Sequence, residues 1–245
     1  STLAHLTESE EKLNNIEDAD TREAELEKQS AKQRAEFLKL AFAVHKKRTA
    51  SAKKFEKEIE EELKAVALDR ARFEVRITAP SEKDLEDVST NSLLSSRGFD
   101  RVEFYFSANV GEQVRPLSKV ASGGEASRLM LVLKTITTSS EFPRTAVFDE
   151  IDTGIGGRVS EAVGRKLKQL SDNHQVLCVT HQPQIASLAD HHFLVRKEMG
   201  EGQTNVSMTK LDKRTRVEEI ARMLTGERIT ETARKHAKEL LKASG

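Results

Sequence analysis

The chain has 245 residues and 27.4 kDa, enough for one large or two small domains, and 40 Lys+Arg against 40 Asp+Glu give it no formal net charge. That balance excludes a uniformly basic nucleic-acid coat and an acidic tail protein, but not a local basic patch. A single cysteine, Cys178, excludes a disulfide framework and a zinc ribbon; no apolar run approaches the roughly 18 residues of a membrane span, and no signal peptide opens the chain, so it reads as a cytoplasmic protein with no membrane partner.

Residues 1–79 contain neither Gly nor Pro: all 12 Gly lie from Gly98 onward, and the first of the 4 Pro is Pro80. Leu3, Leu6, Leu13, Ile16, Leu26, Phe37, Leu40, Val44, Phe55, Ile59, Leu63 and Val66 follow one another at near-whole numbers of helical turns. The spacing predicts one helix over residues 1–70, about 105 Å long, with a single apolar seam. Such a helix needs a partner along its length. Polar stretches at 27–36 and 45–54 favour a loose antiparallel pair over a tight parallel zipper. Residues 1–70 therefore read as one strand of a coiled coil whose partner helix lies outside this sequence, a bundle of shorter helices being the alternative.

Charge along this arm is blocky. Residues 8–27 hold nine acidic and two basic residues, whereas residues 28–57 hold ten basic and two acidic, a balance of +8. A charge run is ordinarily a solvated face. The same block, including Lys46, Lys47, Arg48, Lys53 and Lys54, could track the phosphates of DNA.

Farther along, Phe73, Val75 and Ile77 alternate with polar residues, as do Val102, Phe104 and Phe106. Both segments predict half-buried strands, paired antiparallel, with 81–98 as a loop or excursion between them. Then come a helix at 124–138, a strand at 145–149, a helix at 158–170, a strand at 175–180 and a helix at 183–189. Strands at 191–197 and 204–211 and helices at 216–224 and 230–242 complete the order. Strands alternating with helices predict an α/β layer with a parallel sheet over residues 71–245.

Three motifs carry chemistry. Thr145-Ala-Val-Phe-Asp149-Glu150 is a short buried strand delivering two carboxylates at its C-terminal edge, where open α/β sheets bind ligands. One carboxylate could hold Mg²⁺ and the other orient a water; an ordinary strand ending in a polar turn would look the same. Ser122-Gly123-Gly124-Glu125 opens an amphipathic helix, where free N–H groups and the helix dipole favour a phosphate, or where a Gly-rich cap simply starts the helix. Cys178-Val-Thr-His181-Gln-Pro183 ends a strand with a histidine at its tip and a proline suited to the next helix.

Together, in this order, the motifs resemble the C-terminal half of an ATP-binding cassette ATPase. Ser122-Gly-Gly-Glu125 looks like the signature motif, Val147-Phe-Asp-Glu150 like Walker B, Asp152 like the D-loop aspartate and His181 like the switch histidine. The longer strings LSKVASGGEASRLMLVLK, AVFDEIDTGIGG and VTHQPQIASLADHHFLV resemble the RecN family, bacterial DNA-repair relatives of the SMC proteins, over about residues 73–242. One departure is Ala126, a packing position where the family usually has Leu. The resemblance implies an α/β C-terminal lobe of an SMC-type ATPase head, preceded by a long coiled-coil helix. Two such heads would close around two ATP molecules. Asp149 would coordinate Mg²⁺, Glu150 would polarise the attacking water and His181 would contact the γ-phosphate. Ser122, Gly123, Gly124 and Glu125 would face ATP held by the opposite head, and Asp152 would join them in binding the nucleotide. The implied partners are an N-terminal lobe and ascending helix of the same protein, a second head and DNA, and the implied location is the nucleoid.

No G-x-x-x-x-G-K-[ST] motif occurs, and no Gly is followed by Lys, so the loop that cradles the β- and γ-phosphates is absent and the chain alone is expected to be inactive. Gly154-Ile-Gly156-Gly157 lacks the spacing of a dinucleotide fingerprint. His191 and His192 are adjacent on a strand and face opposite ways, which disfavours a shared metal. Cys178 reads as a small core residue. Another SMC-type head, a transporter ATPase subunit and a non-enzymatic coiled-coil module remain as rivals; an unbroken coiled coil argues against the second, and Asp149, Glu150 and His181 together argue against the third.

Overall fold

A computed structural model describes residues 2–86, 94–109, 111–120, 123–137, 143–200 and 203–243, with residues 2–18 described as backbone only. The free run of helix formers becomes one helix, α1 (Thr2–Lys64), of 63 residues, roughly 95 Å at 1.5 Å per residue. It stops short of residue 70 although no Gly or Pro stands there. The Leu68 N–H donates to the Leu63 carbonyl at 3.1 Å and the Ala67 N–H to the Lys64 carbonyl at 3.3 Å. That pair of bonds is a Schellman stop, and it places Ala67 at φ +59°. Leu63, Val66 and Leu68 are buried and draw the chain back on itself. Burial thus ends the helix at a residue whose Cβ disfavours the conformation. Ala67→Gly is expected to stabilise the chain by about 0.5–1 kcal/mol, net of glycine's greater freedom in the unfolded chain. Urea unfolding reads this, and a lowered midpoint would contradict it.

After α1 come β1 (Arg72–Thr78), α2 (Glu82–Glu86), β2 (Arg101–Ser107), β3 (Arg115–Pro116), α3 (Gly124–Ile136), β4 (Thr145–Phe148), α4 (Gly157–Ser171) and β5 (Gln175–Cys178). α5 (Pro183–Leu188), β6 (Phe193–Gly200), β7 (Gln203–Lys210), α6 (Lys213–Thr225) and α7 (Glu231–Ala243) follow. The chain forms two compact units, Ser1–Lys54 with Val75–Glu103, and Phe55–Glu74 with Phe104–Gly245.

In the first unit, Ala41, Leu85 and Phe99 form a small core with Phe37, Leu38 and Leu94 packed on it. Phe42 meets the Phe99 ring edge-on at 5.0 Å. Polar side chains of α1 stitch the same face. The Arg34 guanidinium donates to the Leu85 carbonyl at 2.7 Å. His45 Nδ1 lies 2.6 Å from Asp100 Oδ1, and Arg48 donates to Asp100 Oδ2 at 3.0 Å and to the Arg97 carbonyl at 2.9 Å. The Asp100 side chain is buried, and the Arg48 guanidinium and the His45 ring offset its desolvation. The apolar residues of α1 therefore do not act as one seam: Phe37 packs, whereas Leu26, Leu40 and Val44 stay exposed. Leu3, Leu6, Leu13 and Ile16 lie where side chains are not described.

In the second unit the end of α1 is fixed on three sides. Phe55, Phe73 and Phe104 form an aromatic trio with centroids 5.5–6.2 Å apart. Glu60 accepts the Phe73 N–H at 3.2 Å, and Lys166 of α4 donates to Glu62. Ile59, Leu63 and Val66 are fully buried.

Strand pairing is mixed, as a parallel sheet beside antiparallel strands predicts. β4 and β5 pair in parallel, from Thr145↔Gln175 to Phe148↔Cys178. β6 and β7 pair antiparallel, as do β2 and β3, and the first sheet runs β1-β2-β3. The reason is connection length: β4 and β5 are joined through α4, a crossover long enough for parallel pairing, whereas only two residues separate Gly200 from its partner Gln203, which permits only a hairpin. Gly164 lets α5 approach α4, since a Cβ there would stand 2.6 Å from Leu188 Cδ1 and 3.3 Å from Ile185 Cα. Ala186, Ile220, Ala221, Ala233 and Ala237 then pack α5, α6 and α7 together.

Candidate functional site

Parallel register brings the C-terminal ends of β4 and β5 to one edge, and the Val179 N–H extends the pairing to the Phe148 carbonyl at 2.9 Å. Asp149-Glu150 therefore leaves the sheet beside Thr180-His181. Both carboxylates are exposed. Asp149 Oδ1 accepts the Glu150 N–H at 2.9 Å, and the Thr153 N–H closes a turn onto the Glu150 carbonyl at 3.1 Å. Glu150 sits at φ +56°, a left-handed conformation costing a non-glycine residue roughly 1–2 kcal/mol. Strain of this kind persists only where the surroundings hold it.

The start of α3 does the holding. Ser127 Oγ donates to the Asp149 carbonyl at 3.0 Å. Arg128, only 5 % exposed, donates through Nη1 to the carbonyls of Thr153 at 3.1 Å and Ile151 at 3.4 Å. Burial pulls its guanidinium below the ordinary arginine value, opposed by the Glu125 carboxylate. Gly124 completes the fit: a Cβ there would stand 2.9 Å from the Thr153 carbonyl and 3.0 Å from the Glu150 carbonyl. Gly124 is thus a close-approach glycine. Gly123, the N-cap, has open space where a Cβ would go, and Glu125 is exposed. Ser122 lies outside the described residues.

Asp152 is the inward-facing member. It is 3 % exposed, and its Oδ2 accepts from Thr180 Oγ1 at 2.6 Å and from the His181 N–H at 2.9 Å, with His181 Nδ1 3.0 Å away. The imidazole itself is exposed. Gln182 braces the other side, its Nε2 3.1 Å from the Ile155 carbonyl and 3.2 Å from His181 Nε2. One buried carboxylate therefore ties the turn after β4 to the histidine after β5.

Ser127, Arg128, Thr180 and Gln182 escape the motif reading. For Arg128 a signal existed: it falls in helical register with Gly124 and Leu131, on a face that is otherwise buried. A charged residue at i, i+4, i+7 with core positions marks a buried polar contact.

Cys178 is half-buried in β5, and its thiol is pushed up to about 12 by burial first, then by Asp152 and Asp149. It stays protonated at neutral pH and is a poor nucleophile. Native protein at pH 8 is expected to resist iodoacetamide for hours and to react within minutes once unfolded. Equal rates in the two states would contradict this.

Among the described residues no group of three or more His, Cys, Asp and Glu could hold a metal ion, and no helix is long and apolar enough to cross a membrane. Arg48 is engaged with Asp100 and the Arg97 carbonyl, whereas Lys46, Lys47, Lys53 and Lys54 are exposed on α1.

Comparison with known proteins adds a family. The chain is 38% identical to the DNA repair protein RecN of Bacillus subtilis over 244 residues, 98% of this chain and 42% of that protein. It is 40% identical to that of Rickettsia bellii over 236 residues and 39% identical to that of Treponema pallidum over 241. The chain spans about two fifths of the length of these relatives. The Smc head domain with a coiled coil and joint from Pyrococcus yayanosii matches at 18% identity and a TM-score of 0.40, covering 71% of this chain and 29% of that chain. No protein-family model matches the chain.

Proposed function

We propose that this chain, which spans about two fifths of the RecN proteins it resembles, supplies the C-terminal lobe of an SMC-like ATPase head acting in repair of DNA double-strand breaks. The observation that carries this is the shared edge of β4 and β5, where Asp149 and Glu150 stand beside His181 under the start of α3. ATP with Mg²⁺ supplies the reactive phosphoryl group and a charge that draws its oxygens together. Mg²⁺ asks for hard oxygens from one or two carboxylates and keeps its waters, so the exposed Asp149 suits it without a protein cage. Glu150 orients and polarises the attacking water. His181, fixed through Nδ1 by Asp152, turns toward the γ-phosphate. Ser122, Gly123, Gly124 and Glu125 contact ATP held by the facing head, and Asp152 serves the site by holding His181 in place.

Residues 1–70 act as the arm and 71–245 as the lobe. Val147 and Leu177 are paired in register and are 67 % and 49 % exposed, an open sheet face suited to an N-terminal lobe. Leu26, Leu40 and Val44 offer an exposed seam to an ascending helix. DNA contact falls to Lys46, Lys47, Lys53 and Lys54, with Arg48 supporting the helix instead. The protein works in the cytoplasm, at the nucleoid.

Lacking a phosphate loop, this chain by itself is expected neither to bind ATP tightly nor to hydrolyse it. Titration with a fluorescent ATP analogue tests that; micromolar binding that depends on Asp149 would overturn the reading.

A further inference from the structure

Within the first unit, lysines recur on α1 at intervals of 4, 7, 7 and 7: Lys28, Lys32, Lys39, Lys46 and Lys53. All five are exposed. With 3.6 residues per turn these intervals form one straight row, about 38 Å long, with neighbours about 10 Å apart over most of it. Ala35, Ala43 and Ala50 are interleaved on that face, and Phe42, about 50° from its centre, meets Phe99 edge-on. Glu36, the one acidic residue between the ends of the row, lies about 70° round the helix.

The row borders the packed face at Phe42 and is centred well away from both other faces of α1. The packed face carries Ala41, His45, Arg48 and Ala52, and the exposed apolar seam carries Leu26, Leu40 and Val44. At about 100° per residue the row is centred about 140° from each. A partner helix on the seam would leave the row open.

We propose that this row is a ridge on which the backbone of duplex DNA lies, with the duplex running alongside the arm. The choice of DNA rests on the DNA-repair reading above; the ridge itself rests on the geometry. A protein partner is a poorer fit. Protein interfaces deplete lysine and rely on aromatic or apolar anchors, whereas this face offers ammonium groups and alanine methyls, and Phe42 at its margin is engaged with Phe99. A phosphate backbone requires charge, regular spacing and length, and about 38 Å matches about 11 base pairs at 3.4 Å each.

The test uses the intact protein with Lys28, Lys32, Lys39, Lys46 and Lys53 all changed to Gln, a residue of similar helix propensity. A control changes five exposed lysines of the other unit, Lys210, Lys213, Lys235, Lys238 and Lys242, to Gln. Binding to a 30-base-pair duplex is measured between 50 and 200 mM salt, beside ATP hydrolysis without DNA. The row variant is expected to bind at least tenfold more weakly than the control, its log–log salt slope reduced by about 4.5, at 0.9 per lost contact. DNA-free hydrolysis should stay at the wild-type rate. A triple variant, K39Q/K46Q/K53Q, should lose about 2.7 from the slope and guards against misfolding of the quintuple one. Wild-type affinity and slope in the row variants would overturn the ridge and leave the repair reading standing. A wild-type protein that ignores duplex DNA at low salt would overturn both.

Discussion

Replacing Gly124 with Ala should destabilise the chain by about 3 kcal/mol, the upper end for forcing atoms into a packed site, whereas Gly123→Ala should change stability by less than about 0.5 kcal/mol. The two glycines are neighbours in one motif, yet they do different work. A methyl on Gly124 would stand 2.9–3.0 Å from the rigid carbonyls of Thr153 and Glu150 and from the Arg128 guanidinium, while one on Gly123 meets nothing within 4 Å. Relief requires α3 to back away from the turn after β4. That would pull Ser127 from the Asp149 carbonyl and Arg128 from the Thr153 carbonyl, leaving the buried Arg128 guanidinium without that partner. In the intact protein Gly124→Ala should also abolish hydrolysis, since Glu150 loses the contacts that hold its strained backbone. Chemical denaturation of the two variants separates these expectations. Equal, small effects would mean that α3 does not brace the turn.

Much of this was legible in the sequence, and the failures have physical causes. The helices and strands after residue 123 fall within about three residues of their expected ends, because apolar periodicity there coincides with Gly and Pro punctuation. The end of α1 was not legible: it is set by burial of Leu63, Val66 and Leu68, which a local pattern of good helix formers hides. The excursion at 81–98 opens with the short α2, where Ser81 and Asp84 spell a capping pair, the Ser81 N–H donating to Asp84 at 2.9 Å and the Asp84 N–H to Ser81 Oγ at 3.2 Å. In the candidate site, motif spacing singled out Asp149, Glu150, Asp152 and His181, which the fold brings to one sheet edge. It could not find Arg128 or Thr180, whose contacts are made across the fold to a carbonyl and a buried carboxylate. Arg48 shows the converse: its place in a basic block says DNA, and its buried partner Asp100 says support.

Glu150→Gln in the intact protein should lower ATP hydrolysis at least about 100-fold while ATP binding persists, the range expected on removing a general base. Gln keeps the shape and the left-handed backbone but cannot take up a proton or polarise water as a carboxylate does. Asp149→Asn should instead weaken Mg²⁺-dependent ATP binding, because the ion then lacks its charged ligand. Turnover and nucleotide binding measured on both variants distinguish the roles. Near-normal turnover in Glu150→Gln would remove Glu150 from the chemistry.

Mixing two inactive forms of the intact protein, Ser122→Arg and Glu150→Gln, tests the composite site most directly. If the signature of one head serves ATP on the other, each homodimer carries one lesion in both sites. A mixed dimer gathers both lesions in one site and leaves the other whole. With random exchange in a two-fold dimer and independent sites, hydrolysis should return to about a quarter of wild type. A Ser122→Arg protein that turns over ATP at the wild-type rate, before or after mixing, would contradict the account.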